Sequence, residues 1–341
     1  MNQPGILFPA RYRRVLIAAW LLCGALSLAA VYHLQYGAST LRLSTLWQSL
    51  FHYDPDNFQQ RVLRELRLLR LGAAVITGAA LGVAGVLLQA VIRNPLGEPH
   101  ILGLNAGAAL AVVVCSASGV SWFSLPLARP LIAAAGGGVL FSLVLGLSSA
   151  GRVGLTPLKV TLCGVAMSAF VSSLTAAILL FDEQTLQSIR IWLAGDLAGL
   201  SWSQVGPAFW LVAAGVALAA GLAPALNALA LGDHMAIGLG VNLRRTRLAA
   251  MLAIALLCGA AVSIAGPVGF VGLIVPNIVR RRVTEDIRLA IPLCAAGGAL
   301  LLVVADTLAR VLFAPAELAT GLMTAFAGAP VFIWIAARWF R

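Results

Sequence analysis

The segment Leu226–Arg247 reads LNALALGDHMAIGLGVNLRRTR and separates two long apolar runs, 205–225 and 248–265. Each run has about 20 residues, which lets an α-helix cross the ~30 Å hydrocarbon core of a bilayer. Within the segment, apolar residues alternate with polar ones, and Gly232, Gly238 and Gly240 divide it into short helical pieces. A much shorter turn could join two spans. The segment is therefore predicted to fold at the membrane surface and to present a ridge to a partner.

The composition places the whole chain in a membrane. Hydrophobic residues make up 61% and charged residues 10% of 341 positions, and most charges fall between recurrent apolar runs. These features predict an all-α fold, a polytopic membrane helix bundle forming a single transmembrane domain over 1–341. We predict about ten transmembrane helices, at 15–35, 68–92, 101–119, 126–149, 158–181, 204–224, 246–265, 267–281, 287–309 and 318–338.

The net charge of +11 comes almost entirely from arginine in the loops between these spans. An excess of positive charge on the cytoplasmic side explains this better than nucleic-acid binding. Arg11, Arg13 and Arg14 precede the apolar stretch 15–31, which resembles a signal peptide but is predicted to be an uncleaved first span. An even number of spans then places both termini in the cytoplasm.

Two stretches of small residues resemble each other, GAALGVAG at 78–85 and GAAVSIAG at 259–266. Chance could produce this match, because small residues dominate both. The alternative is an inverted repeat of spans 1–5 and 6–10, which is a common plan in transporters. Gly78 and Gly82 also form a GxxxG pair, which allows close packing of helices.

The loop after the second span reads QAVIRNPLGEPHILGLNAGAAL from Gln89, and Pro95 and Pro99 make it a rigid break. With the preceding GAALGVAGVLL, it resembles the signature of the FecCD family, the permease subunits of ABC importers for ferric siderophores, haem and vitamin B12. Further motifs of this family follow in order: WLAGDLAGLSW (192–202), LALGDHMAIGLGVN (229–242), GPVGFVGLIVPNIVR (266–280), LLVVADTLAR (301–310) and ELATGLMTAFAGAPVFIWI (317–335). The chain departs from the family at Asn277, where His is usual, and at Ala319 and Thr320, where Pro-Val is usual. These departures concern substrate type or gating.

The resemblance implies that 1–341 is a single permease domain with a type II ABC importer fold, whose segment 227–242 couples to an ATP-hydrolysing subunit. The coupling residues would be Asn227, Leu231, Gly232, Asp233, Ala236, Leu239 and Gly240. The alternative is a plain interfacial helix.

At the outer face, the resemblance implies that Arg67, Arg70 and Arg310 meet acidic residues of a periplasmic binding protein. Guanidinium groups suit such carboxylate pairing. Snorkelling to headgroups is the alternative, as is an i,i+4 pair between Arg310 and Asp306.

The turn GRVGLTPLK (151–159) resembles the family's cytoplasmic gate, with Leu155 and Thr156 nearest the axis; an ordinary tight loop is the alternative. Asp306 is the most deeply embedded carboxylate. An acid inside a membrane suggests a proton relay, but Arg310 one helical turn away favours a structural pair.

The chain lacks a Walker A sequence, because its lone lysine, Lys159, follows Leu158 rather than glycine. No catalytic or metal-ligand pattern is present either, so we predict a transporter subunit rather than an enzyme, with no cofactor of its own. ATP and Mg would bind a partner ATPase subunit. A secondary transporter that uses Asp306 and an ion gradient is the alternative from another class. The coupling segment and the family motifs favour the ABC permease.

The family's commonest cargo predicts a ferric siderophore, with haem or a corrinoid as alternatives. The expected setting is the bacterial inner membrane. Expected partners are the ATPase subunits, a periplasmic substrate-binding protein, a second permease subunit, identical or paralogous, and the lipid bilayer, but no nucleic acid.

Overall fold

The computed structural model describes residues 10–37, 40–119, 125, 127–150, 156–314 and 316–339, and these residues form helices and loops without a strand. The first half contains α1 (Ala10–Gln35), α2 (Leu43–Phe51), α3 (Phe58–Arg61), a π-helical turn (Val62–Arg67), α4 (Leu68–Ile92), α5 (Leu104–Ala117), α6 (Ala128–Ser149) and α7 (Pro157–Phe181). The second half contains α8 (Glu183–Leu193), α9 (Trp202–Ala230), α10 (Asp233–Gly238), α11 (Leu243–Ala265), α12 (Val271–Arg282), α13 (Ile287–Val311) and α14 (Thr320–Trp339).

Each of the ten predicted spans coincides with a helix, which confirms the prediction of a polytopic helix bundle. Seven helices of the described residues are long and apolar enough to cross a membrane. The other three predicted spans are shorter. At 101–119 and 267–281 the chain is irregular up to Gly103 and Phe270 and only then becomes helical as α5 and α12. At 318–338 the apolar helix covers Thr320–Ile335. Hydropathy does not locate these two helix starts, since residues 101–103 and 267–270 are as apolar as the helical residues that follow them.

The centre of the bundle is formed by α4, α11 and α13, and α1 lies at its edge. In α4 and α11, 72% of the most apolar window is buried, against 6% in α1. Gly78 and Gly82 of α4 face α13, where an added Cβ would overlap the carbonyl groups of Gly298 and Cys294. The GxxxG pair therefore lies at a helix contact where two backbones touch.

The two breaks in the bundle, residues 93–103 and 266–270, pack against each other. Glu98 lies in the first break, and its carboxylate accepts hydrogen bonds from the backbone N–H groups of Phe270 (2.9 Å) and Ile101 (3.1 Å). Phe270 has a left-handed backbone (φ 71°), so the hydrogen bond that its N–H donates to Glu98 holds a strained residue at the start of α12. Burial raises the pKa of Glu98, while these backbone donors act to lower it.

Three amide side chains complete the connection between the breaks. Gln89 donates to the carbonyl oxygen of Gly272 (3.3 Å), and Asn105 donates to that of Val268 (2.9 Å). Asn277 donates to the carbonyl oxygen of Pro95 at 2.7 Å. The departure from the family pattern at Asn277 thus places a short amide where it bridges α12 to the first break. The structure gives it a packing role.

Candidate functional site

Within the segment 226–247, α9 continues to Ala230 and α11 begins at Leu243. The residues between them form a short helix, α10, held between two turns, as the glycines predicted. Gly232 (φ 110°) and Gly240 (φ 80°) have left-handed backbones on either side of α10, which explains glycine at both positions. Asn242 then caps α11, because its Oδ1 accepts the backbone N–H of Arg245 at 3.0 Å. The segment therefore reverses the chain direction while keeping a defined shape.

Four apolar side chains project from this segment into solvent, and we call them the ridge. They are Leu231, Met235, Ile237 and Leu239, with exposed fractions of 63%, 59%, 57% and 62%. Ala236, which the sequence predicted as a coupling residue, is instead buried at 0% and packs inward. Met235 and Ile237 are not among the coupling residues predicted from the sequence. The spacing 231, 235, 239 is a helical period and could have pointed to Met235.

Asp233 does not point outward with the ridge but joins it to the bundle. Its two carboxylate oxygens each accept a hydrogen bond from Arg247 Nη2 at 3.0 Å, and Arg93 Nη2 binds Oδ1 from the other side. Arg93 is the left-handed C-cap of α4 (φ 51°). Burial acts to raise the pKa of Asp233, but the two arginines hold it below its ordinary value. Asp233 thus stays ionised and connects α4, α10 and α11.

Asn227 forms the second joint of the segment. Its Nδ2 donates to Asp286 Oδ1 at 2.7 Å, and its Oδ1 accepts the backbone N–H of Ile287 at 2.9 Å. Asp286 is the N-cap of α13 and accepts the N–H of Arg288 at 3.0 Å. Asn227 therefore ties the end of α9 to the start of α13. This joint lies beside Arg93, because Ala230 at the end of α9, Ile287 at the start of α13 and Arg93 line the same cavity.

Thr156 lies close to this segment. Its Oγ1 caps α7 by accepting the backbone N–H of Lys159 at 3.3 Å, and it lines a cavity of about 420 Å³ together with Arg93, Asp233 and Arg247. Leu155, the other predicted gate residue, lies outside the described residues. The gate remains a prediction.

A buried ionic cluster lies at the opposite end of α4 and α13, about 35 Å along these helices from the ridge joints. Its centre is Asp306, with 0% exposure. Four side chains bind its carboxylate: His33 (2.8 Å), Arg70 (3.0 Å), Thr320 (2.7 Å) and Arg310 (3.3 Å). The predicted pair with Arg310 is confirmed, and the other partners come from α1, α4 and α14. We call these five residues the Asp306 cluster.

The three arginines predicted to meet a binding protein have different surroundings. Arg67 Nη1 donates to the carbonyl oxygens of Leu34 (2.7 Å) and Gln35 (2.9 Å), and so caps α1, while Arg310 Nη2 donates to that of His33 (3.1 Å). Both residues are buried, at 6% and 4% exposure.

Arg70 reaches further toward solvent than the other two arginines. Its Nη1 donates to Glu317 Oε2 at 2.8 Å, and its Nη2 lies 3.5 Å from Asp196. The side chain of Glu317 is 34% exposed and that of Arg70 is 12% exposed. The pair of Arg70 and Glu317 is therefore where the Asp306 cluster meets the surface.

Thr320, one of the departures from the family pattern, donates to Asp306 at 2.7 Å. Valine, the usual residue there, has no hydroxyl group and could not make this bond. This departure thus adds a donor to the carboxylate at the centre of the cluster.

The chain is similar to known transport proteins both in sequence and in structure. The model of the FecCD transport family matches residues 25–338. The chain is 41% identical to the iron(3+)-hydroxamate import system permease protein FhuB of Bacillus subtilis, over 95% of this chain and 83% of that protein. It is 39% identical to the Fe(3+)-citrate import system permease protein YfmD of the same species, over 90% of each chain. A solved metal-chelate type ABC transporter in an inward-facing conformation superposes with a TM-score of 0.76 at 28% identity, covering 94% of this chain and 98% of the other.

Proposed function

This chain belongs to the FecCD transport family, and from that premise we propose that it is the permease subunit of an ABC importer that moves a ferric siderophore across the cytoplasmic membrane. ATP hydrolysis resides on a separate subunit. The observation that carries the proposal is the ridge, a folded and exposed apolar surface anchored to the bundle by Asp233 and Asn227.

We propose that the ridge inserts into a groove of the ATPase subunit. Leu231, Met235, Ile237 and Leu239 would supply the buried apolar contact, because such side chains gain most from removal from water. Gly232 and Gly240 give the ridge its shape, and Asp233, Asn227 and Ala236 hold it from below. Arg93 then links any movement of the ridge to the end of α4 and the first break.

At the other end of the bundle, we propose that Arg70 is the direct contact for an acidic periplasmic binding protein. Its guanidinium already pairs with carboxylates, and its partner Glu317 is partly exposed. Arg67 and Arg310 would act by holding the end of α1 and Asp306 in place, in keeping with their burial. In this arrangement both termini are cytoplasmic, and a second permease subunit, identical or paralogous, completes the pathway.

The cargo follows from the relatives named for iron(3+)-hydroxamate and Fe(3+)-citrate. Haem and vitamin B12 are the alternatives, since relatives in Yersinia pestis and Vibrio cholerae are named for hemin and vitamin B12 import. Few polar residues occur in the spans, which favours recognition of the chelate by the binding protein rather than by a tight site in the permease.

Reconstitution tests this function. The permease, its ATPase and its binding protein are placed in proteoliposomes, and uptake of radiolabelled ferric hydroxamate, hemin and cobalamin is measured. We expect ATP-dependent uptake of the hydroxamate that needs all three proteins. Uptake by the permease alone, driven by a proton gradient, would show a secondary transporter instead. ATP-dependent uptake of hemin or cobalamin alone would replace the cargo but keep the importer.

A further inference from the structure

A cleft rich in arginine lies between the start of α1 and the end of α12. Its volume is about 300 Å³, and its lining consists of Arg14, Arg280, Arg281, Arg282, Val283, Thr284 and Glu285. Arg280 and Arg281 also line a neighbouring cavity that extends to Ala230 and Arg93. The cleft therefore lies at the same end of the bundle as the ridge.

The described residues do not balance the positive charge of this cleft. Four arginines face one carboxylate, Glu285, and none of the four has a salt-bridge partner among the residues that the structure describes. Like charges held together repel each other. Guanidinium groups bind phosphate oxygens in pairs of hydrogen bonds, which makes a phosphate the anion that such a cleft fits best.

Exposed apolar side chains continue from the arginines into the membrane region. On α1, Ile17 (49% exposed) and Leu21 (69% exposed) lie one and two turns beyond Arg14 on the same face. On α12, Ile278 (55% exposed) lies one turn before Arg282. A charged cleft followed by an apolar strip matches a molecule with a phosphate at one end and hydrocarbon at the other.

We propose that this cleft binds the headgroup of an anionic phospholipid from the cytoplasmic leaflet, with its acyl chains along Ile17, Leu21 and Ile278. The arginines compensate the phosphate charge, and the lipid in turn allows the four cations to stay close together. Because Arg14 belongs to α1 and the other three to the end of α12, the bound lipid bridges two elements that lie far apart in the sequence. A soluble anion would not contact the apolar strip, and an acidic protein surface has no hydrocarbon chains to cover it.

The test measures binding of phosphatidylglycerol to the purified permease–ATPase complex in neutral detergent, with phosphatidylcholine as the reference lipid. The variant Arg14→Gln/Arg281→Gln/Arg282→Gln removes three cations from the cleft. The matched control Arg42→Gln/Arg61→Gln/Arg190→Gln removes three exposed arginines elsewhere. Each arginine beside an anionic headgroup is worth about a factor of five, so we expect roughly 100-fold weaker binding in the first variant. The control should bind as the unchanged protein does.

Each alternative has its own result. Equal losses in both triple variants would mean that general positive charge attracts the lipid, which would overturn the proposal. Displacement of the lipid by millimolar inorganic phosphate would identify a soluble-anion site. Loss of the ATPase subunit from the cleft variant, with lipid binding unchanged, would identify a protein contact. If the triple variant does not accumulate, Arg14→Gln alone should bind about fivefold more weakly, and unchanged binding there would contradict the proposal.

Discussion

Glu317 offers a direct test of the proposed docking role of Arg70. Glu317 occupies Nη1 of the Arg70 guanidinium at 2.8 Å and is partly exposed, whereas Asp306 holds the other side of the same group. An acidic binding protein that uses Arg70 must therefore compete with a carboxylate of the permease itself. We predict that Glu317→Gln speeds association with the binding protein, because it removes this competitor and leaves the buried Asp306 cluster intact.

The size of the effect follows from the geometry at Arg70. A docking carboxylate on the same guanidinium would lie roughly 6 Å from that of Glu317, where two like charges in water repel by about 0.7 kcal/mol. Removing this repulsion raises the association rate about threefold at low ionic strength. At 0.15 M salt the screening length is about 8 Å, so the increase should fall below twofold.

Stopped-flow association kinetics with the binding protein, at low and high salt, measure this effect. Glu285→Gln is the matched control, since it removes an exposed carboxylate at the opposite end of the bundle and should leave the rate unchanged. An association rate for Glu317→Gln that is unchanged, or slower, would refute the reasoning. Charge reversal at Arg70 would be a poorer test, because it would place a carboxylate directly against the buried Asp306.

Three further predictions concern the ridge, the first break and helix packing. Gly238→Leu should abolish stimulation of the ATPase, because the added side chain would lie on the surface that the ATPase groove receives. Membrane insertion should stay normal, because open space surrounds Gly238 in the folded chain; wild-type ATPase activity would contradict the ridge assignment. Burial raises the pKa of Glu98, so the stability that its protonated form provides is full below pH 4.5 and declines as the pH rises through the raised pKa. Glu98→Gln should remove this decline in thermal unfolding curves, and a curve as steep as that of the wild type would oppose it. Gly78→Leu should lower the yield of folded protein, at a cost of about 3 kcal/mol or more, whereas Gly72→Leu in the same helix should not, since nothing lies near Gly72; equal yields would refute the close helix contact.

The ridge shows how far the sequence alone could go. The glycines at 232 and 240, the polar residues between two apolar runs and the family motif all predicted a folded segment, and the structure contains one. The sequence did not separate side chains that project from those that anchor. Asp233 and Arg93 are 140 residues apart, and Asn227 and Asp286 are 59 apart, so no local pattern reveals that these pairs meet.

The Asp306 cluster shows the same division. The pair with Arg310 was readable, because residues four apart share one face of a helix. The bonds from His33 and Arg70 span 273 and 236 residues, and they exist because α1 and α4 pack against α13. Burial of Arg67 and Arg310, which changes their expected role at the surface, has the same origin.

The sequence by itself determined that this protein is a helical membrane bundle with a folded segment between two spans, because hydropathy and helical periodicity are local properties that residues within about 20 positions define. The tertiary structure alone decided which charges are buried, which side chains form the ridge and which residues hold the two breaks against each other. These features depend on contacts between residues that are distant in the chain, and such contacts form only when the helices pack.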